Sequence, residues 1–173
     1  MTIKHLCFSH GQESGPWGTK IRVLAELARA AGWDVESIDY QGMADPLERV
    51  VRLVEYCETL AGPPVLVGSS MGGFVALAAA ARLPVRGLFL LAPALYLPGY
   101  EEHLPDPLPD CPTRIVHGWG DDIVSWKSSV RYGETTGASL LLINGDHRLT
   151  SALDRIGPHF TEFLSALEPL PTG

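Results

Sequence analysis

Short apolar runs alternate with amphipathic stripes along most of the chain. The apolar runs predict strands, and the stripes predict helices because their apolar residues recur every three to four positions. One stripe runs from Trp17 to Ala31 and ends at Gly32, and another begins at Asp45-Pro46, an N-cap followed by proline. The predicted strands are Ile3 to Ser9, Val35 to Ile38, Val65 to Gly68, Gly87 to Ala92, Arg114 to His117 and Ser139 to Ile143.

Two further helical segments differ from these stripes. Met71 to Ala81 is apolar on every side, which predicts a helix that is buried nearly all round. The last segment, Ser151 to Leu167, contains Pro158, and we expect this proline to break it into two pieces. Apolar strands separated by helices predict a doubly wound α/β fold, in which helices cover both faces of a six-stranded, mainly parallel sheet.

One irregular segment interrupts this alternation. Residues Pro93 to Pro112 are rich in proline and lie between the fourth and fifth predicted strands, where a helix is expected. We interpret them as a loop or a short lid-like segment. Since no repeat or linker divides the sequence, residues 1–173 are predicted to form a single domain. A domain of this length can bury about 70% of its unfolded surface without a disulfide or a metal.

The composition excludes several classes of partner. Hydrophobic residues make up 46% of the chain and charged residues 19%, which is typical of a globular protein. The formal net charge is −7 and no basic cluster occurs, which argues against binding to nucleic acid. The uncharged stretch Gly87 to Tyr100 is interrupted by prolines and is too short to span a bilayer.

The amino-terminal segment and the cysteines favour a cytoplasmic protein. Met1 to Gly11 lacks the long apolar region of a signal peptide. Cys7, Cys57 and Cys111 are odd in number and widely spaced, which favours a reducing compartment. No His, Cys and Asp residues have the spacing of metal ligands, and no lysine completes a phosphate-binding loop, so neither a metal nor a cofactor is predicted.

The segment Gly68-Ser69-Ser70-Met71-Gly72-Gly73 lies between the third predicted strand and the buried helix. It contains the pattern G-x-S-x-G, in which a sharp strand-to-helix turn exposes the central serine above the carboxyl edge of a sheet. Glycines suit this turn because its flanking positions are too crowded for side chains. An ordinary glycine-rich turn that holds a phosphate is the alternative, and the flanking strand and helix favour a nucleophilic Ser70.

A serine becomes a nucleophile when a base takes its proton and a third group orients that base. Asp121 and Asp122 follow the fifth predicted strand and His147 follows the sixth, so these residues are expected at the same sheet edge as Ser70. We predict Ser70 as the nucleophile, His147 as the base and Asp121 as the orienting acid. Asp122 is the alternative acid but is expected to cap a helix or meet solvent. A surface-loop His147 is the alternative for the base, and His117 is expected to be packed or hydrogen-bonded.

Acyl transfer also needs N–H groups that bind the developing oxyanion. One candidate is the N–H of Met71, which follows the nucleophile. The other is the N–H of Gln12, if the first and third strands are neighbours whose loops open a crevice. A plain turn is the alternative for the Gln12 loop. Large apolar residues near this edge are candidates for substrate binding, with core packing as the alternative: Trp17, Met71, Tyr96, Leu97 and Trp119.

Five segments, taken in their order along the chain, resemble landmarks of the α/β-hydrolase superfamily. Within that superfamily, the sequence most resembles small bacterial YqiA-type serine esterases. Residues 145–149 are also similar to α/β-hydrolase thioesterases. The resemblance implies a minimal α/β-hydrolase fold without a large cap. It also implies hydrolysis of an ester or thioester through an acyl-serine, with Ser70, His147 and Asp121 as the triad. The segments are His10-Gly11, Gly68 to Gly73, Ala92-Pro93-Ala94, Gly120-Asp121-Asp122 and Gly145-Asp146-His147.

We therefore expect a serine hydrolase that acts on a small-molecule ester or thioester. Because the segment 93–112 is short where a cap often lies in this superfamily, an open acyl pocket is expected rather than one that encloses a long acyl chain. Two alternatives remain. The same triad could transfer the acyl group to an acceptor other than water, or the protein could be a binding protein with an idle triad. Reactivity of Ser70 and competition by an added alcohol distinguish these alternatives.

Overall fold

A computed structural model describes residues 3–98 and 103–168 of the chain. Its six strands form one sheet in the order β2-β1-β3-β4-β5-β6, and every neighbouring pair is parallel. The predicted doubly wound sheet is thereby confirmed, and the ends of each strand lie within two residues of their predicted positions. The strands are β1 (His5–Ser9), β2 (Asp34–Ile38), β3 (Val65–Ser69), β4 (Gly87–Leu91), β5 (Thr113–Gly118) and β6 (Ser139–Ile143).

In the described residues, five α-helices connect or follow these strands. The N-cap of the second is Asp45, whose carboxylate accepts a hydrogen bond from the Leu47 N–H at 2.9 Å, as the Asp45-Pro46 pattern predicts. None of the helices in the described ranges is long and apolar enough to cross a membrane. The helices are α1 (Thr19–Ala30), α2 (Pro46–Glu58), α3 (Met71–Ala80), α4 (Trp126–Thr136) and α5 (Leu153–Ala166), and the turn Thr150–Ala152 precedes α5 as a 3-10 helix.

Alternation of side chains along each strand creates a hydrophobic core on both faces of the sheet. In β1, Leu6 and Phe8 join the core that α1 and α5 cover, whereas Cys7 joins the core that α2, α3 and α4 cover. Strands β3 and β4 alternate in the same way between the two cores. The helices therefore lie on both faces, which explains why these central strands have no polar side.

The strand order places the predicted site at a switch point of the sheet. Strand β1 lies between β2 and β3, as the hypothesis for the Gln12 loop requires. The chain leaves β1 for α1 on one face and leaves β3 for α3 on the other face. Because the two connections diverge, their loops open a crevice at the carboxyl ends of β1 and β3.

The structure corrects the expectation for Pro158. Helix α5 continues through this proline from Leu153 to Ala166. Its buried residues Ile156, Phe160 and Phe163 pack into the core beside α1. This burial outweighs the cost of an internal proline, which is about 3 kcal/mol.

Helix α4 has no clear signal in the sequence, since Ser129 and Tyr132 are its buried residues and form no apolar stripe. Its N-cap is Ser125, whose hydroxyl accepts from the Lys127 N–H at 3.3 Å, and not Asp122, which is exposed. In the described parts of the segment 93–112 the chain forms neither an α-helix nor a strand. A lid-like role for that segment stays a prediction.

Two glycines of the strand-to-helix turn permit direct contact between backbones. A Cβ atom on Gly68 would collide with the Gly72 carbonyl, and a Cβ atom on Gly72 would collide with the Ser9 carbonyl. The first turn of α3 therefore lies directly against the end of β1. Any side chain at position 72 would force these two backbones apart.

We predict that Gly72→Ala lowers the free energy of unfolding by about 2–3 kcal/mol or more, because the added methyl group meets backbone that cannot move aside. Urea unfolding of the purified variant measures this change. Gly62→Ala is the matched control, since a Cβ atom on Gly62 meets no atom within 4 Å. Equal unfolding midpoints for the two variants would contradict the close contact.

Candidate active site

Ser70 occupies the turn between β3 and α3 with φ 55° and ψ −120°. Residues other than glycine rarely adopt a positive φ, and such strain persists where surrounding contacts enforce it. The Ser70 N–H donates to the Leu91 carbonyl at 3.0 Å, and the Ser70 carbonyl accepts from the Ala94 N–H at 2.9 Å. Leu91 ends β4 and Ala94 lies in the segment that follows it, so this edge of the sheet holds the serine in this conformation.

His147, in the loop after β6, connects Ser70 to Asp121. Its Nε2 atom lies 3.0 Å from the Ser70 Oγ atom, and its Nδ1 atom lies 2.7 Å from the Asp121 Oδ2 atom. Since a carboxylate only accepts, Nδ1 carries the proton and donates to Asp121. Nε2 is then free of hydrogen and accepts from the Ser70 hydroxyl. The His147 side chain is 20% exposed, so this pair is accessible from solvent.

The Asp121 side chain is fully buried and satisfied on both oxygens. Its Oδ1 atom accepts from the backbone N–H groups of Ile123 at 2.9 Å and Val124 at 2.8 Å. Burial acts to raise the pKa of Asp121, but hydrogen bonds from His147 and from these N–H groups outweigh it, so the pKa is lowered. The structure thus brings the carboxylate of Asp121 to His147, while the alternative acid, Asp122, faces solvent.

A second histidine, His117, lies on the other side of Asp121. Its Nε2 atom is 3.0 Å from the Asp121 Oδ2 atom and 2.9 Å from the Val124 carbonyl oxygen. Both of these atoms accept, so Nε2 carries the proton, and Nδ1 accepts from the Ser129 hydroxyl at 2.7 Å. Burial is the main cause that lowers the pKa of His117, which keeps the ring neutral. The expectation of a hydrogen-bonded His117 is confirmed, whereas the sequence gives no signal for Ser129.

Lys20, in the first turn of α1, is a cation near the triad that the sequence analysis missed. Burial lowers its pKa to about 8, while the charges of Asp121 and Asp146 act in the opposite direction. Asp146 itself accepts from the Leu149 N–H at 3.0 Å and so serves as a turn residue. Within residues 3–98 and 103–168, no three His, Cys, Asp or Glu side chains are grouped as a metal site.

The two predicted oxyanion donors belong to segments that adjoin Ser70. Met71 is the first residue of α3, where backbone N–H groups have no partner within the helix. Gln12 directly follows Gly11, and a Cβ atom on Gly11 would lie 3.5 Å from the Ser70 Cβ atom. The loop after β1 therefore packs against the serine. Donation by Gln12 and Met71 to a substrate stays a prediction.

Two of the candidates for substrate binding are exposed tryptophans. Trp119 is 52% exposed, lies in the loop that carries Asp121, and packs edge-on against Trp126 with 5.0 Å between the ring centroids. Trp17 is half-exposed and its ring stacks on the Arg29 guanidinium of α1 at 5.3 Å. Both rings leave apolar surface open to solvent, and a substrate-binding role for them stays a prediction.

The remaining candidates follow β4 or begin α3. Tyr96 is half-buried, and the Arg131 guanidinium lies 3.9 Å from its ring centroid. Leu97 is also half-buried. For Tyr96 and Leu97 the substrate-binding role stays a prediction. The Met71 side chain is buried in the core beside α2, so core packing is the better description of that side chain.

Comparison with known proteins identifies the family and the fold of the chain. A sequence profile of the alpha/beta hydrolase family matches residues 8–172. A hydrolase of the alpha/beta superfamily from Xanthomonas campestris is 31% identical, with a TM-score of 0.84 over 94% of this chain and 99% of that chain. Mouse alpha/beta hydrolase domain-containing protein 10 has a similar fold, with a TM-score of 0.79, 20% identity and coverage of 95% of this chain and 90% of that chain.

One curated relative is the mitochondrial palmitoyl-protein thioesterase ABHD10 of Bos taurus. It is 25% identical over 86% of this chain and 68% of its own length. The human and Pongo abelii proteins of the same name are each matched over 64% of their length. This chain therefore spans about two thirds of these relatives.

We predict that stability falls on acidification, because burial lowers the pKa values of His10, His117 and His159 from their ordinary 6.5. As the pH falls, these histidines bind protons in the unfolded chain before they do so in the folded protein. Their contribution to the free energy of unfolding is therefore complete above pH 6.5 and is lost as the pH falls toward their lowered pKa values in the folded protein. Each histidine contributes a slope of up to about 1.4 kcal/mol per pH unit. Urea unfolding at a series of pH values between about 7.5 and 5 measures this slope.

His117→Gln is the informative variant, because it removes one of the three titrating rings. Its unfolding free energy is expected to depend less steeply on pH than that of the wild type over the same range. An unchanged slope would show that His117 is not held neutral in the folded protein.

Proposed function

The chain belongs to the alpha/beta hydrolase family, and from this premise we propose that it is a serine hydrolase that cleaves a carboxylic ester or a thioester of a small molecule. The observation that carries the proposal is the continuous line of hydrogen bonds from Asp121 through His147 to Ser70. In this line the unprotonated nitrogen of His147 faces the serine hydroxyl, which is the arrangement that a general base requires.

In the first half of the reaction, the Ser70 Oγ atom attacks the acyl carbon and its proton passes to Nε2 of His147. The positive imidazolium is stabilised by the Asp121 carboxylate, whose lowered pKa keeps it ionised. The oxyanion of the tetrahedral intermediate accepts hydrogen bonds from the N–H groups of Gln12 and Met71. As the intermediate collapses, the bond to the leaving oxygen or sulfur breaks and His147 returns its proton to that atom.

In the second half, water attacks the acyl-serine. His147 takes a proton from the water, the oxyanion forms again at the same N–H groups, and collapse releases the carboxylic acid. The proton on His147 returns to the Ser70 oxygen. In each step one proton moves between His147 and a reacting oxygen or sulfur atom. These proton transfers account for every bond that forms or breaks, so the reaction needs no cofactor or metal.

The residues near Ser70 support an ester or thioester of a small acyl group as the substrate class. The exposed ring of Trp119 and the half-buried Tyr96 provide apolar surface for an acyl group on an open rim. This openness favours a short or surface-bound acyl group. The name of the ABHD10 relatives makes a thioester substrate a specific candidate beside an ester. Thioester and oxygen ester react through the same acyl-serine, and so the triad serves both.

The alternatives are acyl transfer and binding without catalysis. Acyl transfer uses the same acyl-serine and differs only in the acceptor that replaces water. A binding role is less well supported, because a fully buried Asp121 carboxylate is costly and has its geometric use in orienting His147. For location, the three cysteines in the described part of the chain are free, which supports a reducing compartment such as the cytoplasm.

We predict that Ser70→Ala lowers kcat by at least about 10⁴-fold, because the nucleophile is lost. The melting temperature should change by no more than about 2 °C, since only one hydrogen bond at a solvent-accessible position is removed. Turnover is measured with short-chain aryl esters and with acyl thioesters of increasing chain length. Ser69→Ala is the matched control, since Ser69 belongs to β3 and is expected to keep most of the turnover.

A Ser70→Ala protein that hydrolyses these substrates as the wild type does would contradict the proposed nucleophile. Added alcohol that diverts the acyl group into a new ester without loss of total turnover would instead support the acyl-transfer alternative.

A further inference from the structure

A buried arginine lies beneath the loop that carries Gln12. Arg49, on α2, is 2% exposed although its side chain is charged. Its Nη1 atom donates to the carbonyls of His10 at 3.4 Å and Gly11 at 3.2 Å, and its Nε atom donates to the Met43 carbonyl at 2.7 Å. Burial of a guanidinium is costly unless it is well hydrogen-bonded. These carbonyls contribute to that compensation, and two of them belong to the loop beside Ser70.

His10 fixes the same loop from a second direction. Its Nε2 atom accepts from the Tyr40 N–H at 2.9 Å, so Nδ1 carries the proton and donates to the Gly11 carbonyl at 2.8 Å. The His10 ring is fully buried and packs against the Tyr40 ring with 5.1 Å between centroids. The Gly11 carbonyl therefore accepts from both His10 and Arg49, which leaves little freedom for the peptide between Gly11 and Gln12.

The direction of these carbonyls determines the direction of the N–H groups that follow them. In a trans peptide the N–H points opposite to the C=O of the same plane. Because the carbonyls of His10 and Gly11 point toward Arg49 in the interior, the N–H groups of Gly11 and Gln12 point away from it. Gln12 is exposed, and Gly11 lies beside Ser70. Two successive N–H groups turned to one side form a concave site for an anion.

We propose that Arg49 is a positioning residue for the oxyanion hole: it holds the carbonyls of His10 and Gly11 so that the Gln12 N–H faces the reacting carbonyl at Ser70. The inference rests on the proposed function, since an oxyanion forms only if Ser70 is acylated. Arg49 does not touch the substrate, and its effect passes through the backbone of the loop after β1.

The size of the effect follows from the group that Arg49 orients. Loss of one oxyanion donor costs about 10²–10³ in kcat, and a displacement of about 1 Å can cost about 10². With Arg49 removed, His10 still holds the Gly11 carbonyl, so a partial loss is expected. Since the oxyanion exists in the transition state and not in the bound substrate, kcat falls while KM is nearly unchanged.

The test compares Arg49→Met with Arg52→Met. Methionine keeps an unbranched side chain in place of the arginine stem and removes the donors of the guanidinium. Arg52 is an exposed arginine on the same helix. The fraction of competent sites is titrated with a fluorophosphonate to completion, and kcat is calculated per competent site. Arg49→Met is expected to lose about 10–100-fold in kcat per site with KM within about 3-fold, and Arg52→Met to match the wild type.

Each outcome has a defined meaning. A purely structural role for Arg49 would lower the fraction of competent sites but leave kcat per site within about 2-fold of the wild type, and this result would overturn the inference. If Arg49→Met does not fold, Arg49→Lys decides by the same criterion, because its ammonium keeps the charge and can reach fewer carbonyls. Absence of both turnover and labelling in the wild type would contradict the proposed function, and the inference with it.

Discussion

The contact between the first turn of α3 and the end of β1 is the constraint on which the candidate site depends. A Cβ atom on Gly72 would overlap the Ser9 carbonyl, so two backbones meet there with no side chain between them. This approach places Ser70, at the head of α3, beside the loop after β1. The same turn holds Ser70 at a positive φ, and Gly11 of the loop after β1 lies against its side chain. A side chain at position 72 would separate Ser70 from the loop after β1.

Two buried charged side chains, Asp121 and Arg49, hold the segments around Ser70. The Asp121 carboxylate accepts from His147, from His117 and from two backbone N–H groups, and so it orients the base. The Arg49 guanidinium donates to carbonyls of the loop after β1, and so it orients a backbone donor. Neither ion needs to contact a substrate. Each buried charge is hydrogen-bonded to the groups around it, and these hydrogen bonds fix the positions of those groups. Preorganised catalysis requires such fixed positions.

The sequence predicts the sheet, and also that the side chains of Ser70, His147 and Asp121 lie together, because both depend on local signals. Apolar runs mark the strands, and loops after parallel strands share one edge, which was enough to choose Ser70, His147 and Asp121. Helix α4 was expected after Asp122 but received no bounds, because its buried residues form no stripe. The predicted break at Pro158 was wrong because packing of α5 outweighs a local cost. Arg49 gives no signal in the sequence, since its role depends on contacts with residues 38 and 39 positions away.

The central claim is that His147 and Asp121 activate Ser70. The most direct test incubates the wild-type protein and His147→Ala with a fluorophosphonate for the same time, followed by intact mass and peptide mapping. The account predicts one adduct on the wild type, located at Ser70, and none on the variant. A folded wild-type protein that gains no adduct, or gains one at another residue, would contradict it.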